Sequence, residues 1–131
     1  MKSAQTIEKK EDGKTKKAKS EKERAEELLK ELLVRQRADG GWNWVKENKE
    51  SDAFSTGQAL YVLGLLCRDG NDPVVRKAWE YLLRTQTADG SWQVPQNLIN
   101  SRPRGLNVYP YWGTAWCVIG LLQTLPAESP R

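Results

Sequence analysis

Two heptapeptides fifty positions apart constrain this chain more than any other feature. Gln36-Arg37-Ala38-Asp39-Gly40-Gly41-Trp42 is answered by Gln86-Thr87-Ala88-Asp89-Gly90-Ser91-Trp92, with Gln, Ala, Asp, Gly and Trp in register. A second echo follows each. Gly57-Gln58-Ala59-Leu60-Tyr61-Val62-Leu63-Gly64-Leu65-Leu66 returns 56 positions later as Gly113-Thr114-Ala115-Trp116-Cys117-Val118-Ile119-Gly120-Leu121-Leu122. The later connection is thus expected to carry about six extra residues. A helix-sized unit recurring at such spacing marks a helical repeat, in which no unit buries its apolar face alone.

The residue types inside the heptapeptides explain why they recur. Asp-Gly makes a tight turn, because glycine takes the positive φ that other residues resist. The Gln amide carries donors and an acceptor for backbone groups left unpaired at a helix end. Trp offers a large flat surface and one N–H. Gln36, Gly40, Trp42, Gln86, Gly90 and Trp92 are therefore expected to fasten one helical hairpin to the next. Asp39 and Asp89 belong to the same turns and take the same structural reading.

Helical periodicity runs through the rest. Ser20-Glu21-Lys22-Glu23 has the form of a capping box, and Ala25, Leu28, Leu29, Leu32 and Leu33 make one apolar stripe up to Arg37. A second helix is expected from Ser55 or Thr56 to Cys67, apolar on nearly every face and so surrounded by protein. Asp69-Gly70-Asn71 would stop it. Asp72-Pro73 restarts a third, striped by Val75, Ala78, Trp79, Leu82 and Leu83 and ending at Gln86. A polar loop with Pro95, Pro103, Gly105 and Pro110 precedes a fourth, from Trp112 to Thr124, again apolar all round. Amphipathic outer helices thus alternate with buried inner ones. The expected fold is all-α, with residues 20–126 forming the repeat domain and 127–131 a short tail.

Residues 1–19 read differently. Lys2, Lys9, Lys10, Lys14, Lys16, Lys17 and Lys19 supply much of the net charge of +4. So polar a stretch cannot bury enough surface to offset its ordering entropy, and a disordered leader is expected. Acids interrupt its lysines and no aromatic ring interleaves with them, which argues against nucleic acid. It lacks the apolar core of a secretory signal. No run reaches the eighteen apolar residues of a membrane span. Localisation is left open, cytoplasmic by default. Cys67 and Cys117 are expected as buried thiols, not as metal ligands or a disulfide.

Lys77-Ala78-Trp79-Glu80-Tyr81-Leu82-Leu83-Arg84-Thr85-Gln86-Thr87-Ala88-Asp89-Gly90-Ser91-Trp92 resembles a QW motif, the repeated signature of squalene–hopene and oxidosqualene cyclases and their prenyltransferase relatives. Residues 36–42 keep its second half only. The resemblance spans roughly Leu28 to Leu125 and is to the C-terminal repeats of that family. It implies an α/α toroid, here a partial one of two hairpins.

The resemblance also supplies tests for chemistry. Hopene-type cyclases protonate an alkene with an Asp-x-Asp-Asp-Thr-Ala segment leading into an inner helix. Setting Thr-Ala on Thr114-Ala115 puts Pro110, Tyr111, Trp112 and Gly113 where the acids belong; setting it on Gln58-Ala59 leaves Phe54, Ser55, Thr56 and Gly57. Asp52 stands nearby without acidic neighbours or a His partner. Prenyltransferases hold zinc with Asp, Cys and His, and this chain has no His. Nucleophile–His pairs are lost with it. The expectation is a module with no catalytic residue, metal or cofactor of its own. If it works within an enzyme, the resemblance implies an isomerase-type terpenoid cyclase whose acid lies upstream. Polysaccharide lyases on an α/α toroid carry similar turns, but only Arg102 and Arg104 hint at such a site.

Phe54, Tyr109, Tyr111, Trp112 and Trp116 gather at the starts of the inner helices. In the resembling enzymes that end faces a central cavity, so these rings either fill the core or line a pocket for an isoprenoid or other apolar ligand. Two hairpins make a short arc, and stacked repeats usually need three or more. The expected partners are therefore further repeats of a longer chain, or a second copy.

Overall fold

The computed structural model describes residues 20–94 and 109–127. They form four helices: α1 at residues 20–34, α2 at Ala53–Leu65, α3 at Pro73–Thr85 and α4 at Tyr109–Gln123. Among the described residues there is no strand, only an isolated antiparallel bridge between Trp42 and Asp52. The all-α expectation holds at this level. The chain divides into two compact units between Arg35 and Gln36.

The first unit contains α1. Glu31 and Arg35 pair across one turn at its end, the orientation that suits the helix dipole. Leu29, Leu32 and Leu33 are half-buried, whereas Leu28 and Val34 are exposed. The capping box expected at Ser20 falls at the edge of the described residues.

In the second unit α2 starts earlier than expected because Asp52 caps it. The Asp52 carboxylate accepts from the Ser55 amide at 2.6 Å and from the Ser55 hydroxyl at 2.8 Å. This satisfies a backbone donor that the first turn leaves without a helical partner. The helix also ends earlier, at a Schellman turn. The Arg68 amide donates to Leu63 at 3.0 Å, the Cys67 amide donates to Gly64 at 3.0 Å, and Cys67 sits at φ +59°. A cysteine therefore occupies the left-handed position that glycine usually takes, and Gly70 is not the stop. Cys67 is exposed, correcting the expectation of a buried thiol there.

Helix α3 follows its sequence signals closely. Asp72 accepts from the Val74 amide at 2.8 Å, and Pro73 takes the first helical position, where its missing N–H costs nothing. Helix α4 begins at Tyr109, three residues before the expected Trp112. Pro110 falls inside its first turn, where proline is tolerated for the same reason.

Helices α2 and α4 pack at backbone distance and run in the same direction. A Cβ placed on Gly57 would lie 2.5 Å from the carbonyl carbon and oxygen of Trp116, and one on Gly64 2.6 Å from the Gln123 carbonyl oxygen. One placed on Gly120 would meet the Gly57 oxygen at 2.5 Å. Glycines from both helices thus line one seam. Around it Trp42, Ala59, Leu60, Leu63, Val75, Ala78, Leu82 and Cys117 are fully buried. Full burial of a Leu or Val side chain contributes about 1.5–3 kcal/mol.

The expectation that α2 and α4 are enclosed on all sides does not hold. Val62, Leu65 and Leu66 of the α2 segment are exposed, as are Val118, Ile119 and Leu122 of α4. Each helix is covered by the other across the glycine seam while these flanks face outward.

Candidate functional site

The two Gln-to-Trp turns have one backbone conformation. In the first, the Gly40 amide donates to Arg37 and the Arg37 amide to Gly41, both at 2.9 Å. In the second, Gly90 donates to Thr87 and Thr87 to Ser91, again both at 2.9 Å. Gly40 and Gly90 have φ of +93° and +88°. In each turn the Gln amide nitrogen closes the loop onto the glycine carbonyl, Gln36 on Gly40 at 3.0 Å and Gln86 on Gly90 at 2.9 Å.

Their aspartates brace these turns by different routes. Asp89 accepts from the Ser91 amide at 3.0 Å, from the Ser91 hydroxyl at 2.6 Å and from Thr87. Hydrogen bonds from Ser91 and Thr87 hold its carboxyl down at about 2. Asp39 accepts from the Gly41 amide at 2.9 Å, and the missing hydroxyl comes from Ser51 at 2.7 Å. Ser51 stands where a side chain at position 41 would go, its Cβ 2.6 Å from that point. Gly41 and Ser91 are thus two solutions to one hydrogen-bonding problem.

Both Trp residues are buried, as the fastener reading expects. Trp92 donates its ring N–H to Leu82 at 2.8 Å, joining the turn to α3. The Trp42 amide donates to the Thr56 hydroxyl and the Trp92 amide to the Thr114 hydroxyl, each at 3.0 Å. These hydroxyls stand 58 positions apart, as do the helix ends Leu65 and Gln123. The structural repeat is therefore two residues out of step with the sequence echo of 56. Two residues turn a helix by about 200°. Gly57 and Gly64 consequently look toward α4 while Gly120, letter for letter the echo of Gly64, looks back toward α2.

The turns differ in what they hold. Gln36 donates a second bond, to the Val74 carbonyl of α3 at 2.9 Å. Gly40 lies so close to α3 that a Cβ there would sit 2.2 Å from the Lys77 carbonyl oxygen. Arg84 of the same helix donates to the Asp39 carbonyl at 2.7 Å. Gln86, Ala88, Asp89 and Gly90 are exposed, and among the described residues a Cβ on Gly90 would meet only the Gln86 amide nitrogen, at 3.8 Å.

Between the inner helices, from the start of α2 to the middle of both, the structure brings together Phe54, Tyr61 and Trp116. Trp116 meets Phe54 edge-on at 6.4 Å between centroids and Tyr61 at 5.7 Å. Such contacts add about 0.5–1.5 kcal/mol each beyond burial. Tyr61 was not among the residues singled out from sequence; its place three residues after Gln58 on the inner helix was the available signal. Tyr111 and Trp112 are exposed, and the side chain of Tyr109 lies outside the described residues. Trp44 adds an indole N–H donating to Gln58 at 2.7 Å.

Among the described residues Asp52 is the one carboxylate buried in the core. Burial raises its pKa, against the lowering effect of the Ser55 amide and hydroxyl. Its environment is a helix cap, with its backbone carbonyl also accepting from the Thr56 hydroxyl at 2.7 Å. Burial, with a smaller effect of the Asp52 charge, pushes the Cys117 thiol up to about 12, and its sulfur donates to the Ala53 carbonyl at 3.3 Å. At that value the thiol stays protonated and unreactive. Among the described residues no three Cys, Asp or Glu side chains gather as metal ligands would, and no helix is long and apolar enough to cross a membrane. No family model, curated protein or solved structure matches the chain.

Proposed function

We propose that this chain is a squalene-cyclase-like helical repeat module, a two-hairpin arc of an α/α toroid that serves in scaffolding or interaction rather than catalysis. The observation that carries the reading is the pair of like-shaped turns, one clamped on α3 through Gln36 and the other exposed at Gln86. Parallel inner helices packed through glycine suit such an arc. The buried Asp52 is engaged as a cap, so its hydrogen bonds serve the fold. The Phe54–Trp116–Tyr61 cluster supports a secondary role in holding an isoprenoid or other apolar ligand beside the inner helices.

The alternative is the terminal part of a terpenoid cyclase whose acid lies upstream, which the open α4 flank also suits. Incubating the purified chain with squalene and analysing the extract by gas chromatography tests the leading reading. Unchanged substrate is expected; a cyclised product would overturn it.

A further inference from the structure

Resting on the interaction-module reading, we infer that the second turn and the outward flank of α4 form a head-to-tail docking surface for a second copy of this chain. The argument starts from the occupied counterpart. In the first repeat, Gln36 and Gly40 take the backbone of the next outer helix, at Val74 and Lys77, while Gly57, Leu60 and Gly64 take the next inner helix. Moving 50 positions for the turn and 58 for the helix gives Gln86, Gly90, Ala115, Val118 and Leu122. All five are exposed. Val118 and Leu122 are 44% and 63% exposed, large apolar side chains whose counterparts Leu60 and Gly64 are buried and half-buried against α4.

The chain itself carries the complementary elements. Helix α4 meets α2 through Gly120 and Gln123, and the residues 58 positions before these are Val62 and Leu65. Both are exposed, at 43% and 56%. The second copy therefore offers Val62 and Leu65 to Val118 and Leu122, and a backbone carbonyl to the Gln86 amide, as Val74 offers one to Gln36. The two faces differ, so the contact is heterologous and either closes a ring or extends an array. Branched side chains replace the glycines of the internal seam, so the helices pack at a wider separation and the contact is separable.

Sedimentation of the full chain from about 1 μM to about 1 mM tests this, a range spanning weak to moderate self-association. The mass is expected to rise with concentration; a monomer throughout would overturn the inference. Two doubly substituted chains then test direction. Val118→Asp with Leu122→Asp blocks one face, and Val62→Asp with Leu65→Asp blocks the other. Each alone is expected to stay monomeric, and a 1:1 mixture to form a dimer and nothing larger. A mixture that stays monomeric while the parent associates would overturn it, as would parent-like association of either variant. Far-UV circular dichroism checks their folding. Should the aspartates unfold the chain, Gln86→Ala is the milder probe, expected to weaken association several-fold; no change would overturn the role of the turn. A monomer with no cyclised product sinks this inference alone, whereas a cyclised product sinks the function it rests on.

Discussion

The side-chain amide of Gln36 spans the Gly40 and Val74 carbonyls, at 3.0 and 2.9 Å, so one residue closes its own turn and ties it to the following outer helix. Among the described residues Gln86 closes its turn only. Gln36→Ala should therefore destabilise the isolated chain by about 1–2 kcal/mol, and Gln86→Ala by about 0.5 kcal/mol or less, as an exposed hydrogen bond contributes little. Urea unfolding midpoints at a concentration low enough to keep the chain monomeric measure the difference. Equal losses would contradict the asymmetry.

Gly57 and Gly113 have matching places in the sequence echo but different neighbours. A methyl on Gly57 strikes the Trp116 backbone, whereas one on Gly113 strikes the tip of the Val94 side chain at 2.3 Å. Helix backbone cannot retreat without opening the seam, whereas a side chain can change rotamer. Gly57→Ala should cost about 3 kcal/mol or more and Gly113→Ala about 1 kcal/mol. Thermal denaturation of the two variants gives the ranking.

Cys67 occupies the left-handed residue of the α2 Schellman turn. Cys67→Gly should stabilise by about 0.5–1 kcal/mol, since glycine adopts that conformation without the Cβ penalty. The same geometry predicts thiol reactivity. Cys67 is exposed and Cys117 buried, so a disulfide reagent should titrate one thiol at once and the second only on unfolding. Rapid modification of both would show that the Cys117 site opens.

Asp52 has its pKa raised in the fold by burial. The folded state then holds its proton to higher pH than the unfolded chain. Its contribution to stability is fully present below the unfolded value near 3.8 and is lost as pH rises through the folded value. Asp52→Asn keeps a good cap residue and removes the titration. The stability of the parent relative to this variant should fall as pH rises above about 4 and then level off. A difference independent of pH, from unfolding curves between pH 3 and pH 7, would refute the assignment.

Trp92 donates its ring N–H to the Leu82 carbonyl at 2.8 Å in a buried setting. Trp92→Phe keeps most of the apolar area and leaves that acceptor one bond short, so a loss of about 1–2 kcal/mol is expected. Trp92→Ala should cost about 3–5 kcal/mol. Nearly equal losses for Phe and Ala would mean that the hydrogen bond, and not the ring volume, anchors the turn.

Much of the local structure was legible from residues alone. Asp72-Pro73 announced the start of α3, and Asp-Gly with a following Trp announced both turns, because capping and left-handed glycine are settled within a few residues. The helix ends of α2 and α4 were less legible. Cys67 taking a glycine position, and Pro110 falling inside a first turn, are both allowed by local energetics but not demanded by them. Of the aromatic residues picked out as a ligand lining, the structure joins Phe54 to Trp116 and leaves Tyr111 and Trp112 outward. The partner it adds, Tyr61, lay two turns further along α2 than Phe54.

Periodicity and turn chemistry, acting over neighbours along the chain, determined by themselves that this protein is made of helices punctuated by two like turns. Only the tertiary structure decided that the inner helices repeat at 58 positions, two more than the 56 of their sequence echo. A slip of two in a helix reverses the face a residue presents, so Gly64 and its echo Gly120 line one seam from opposite helices, while Gly113, the echo of Gly57, faces Val94 instead. Which flank lies open follows from that rotation, and rotation about a helix axis is set by what packs against it.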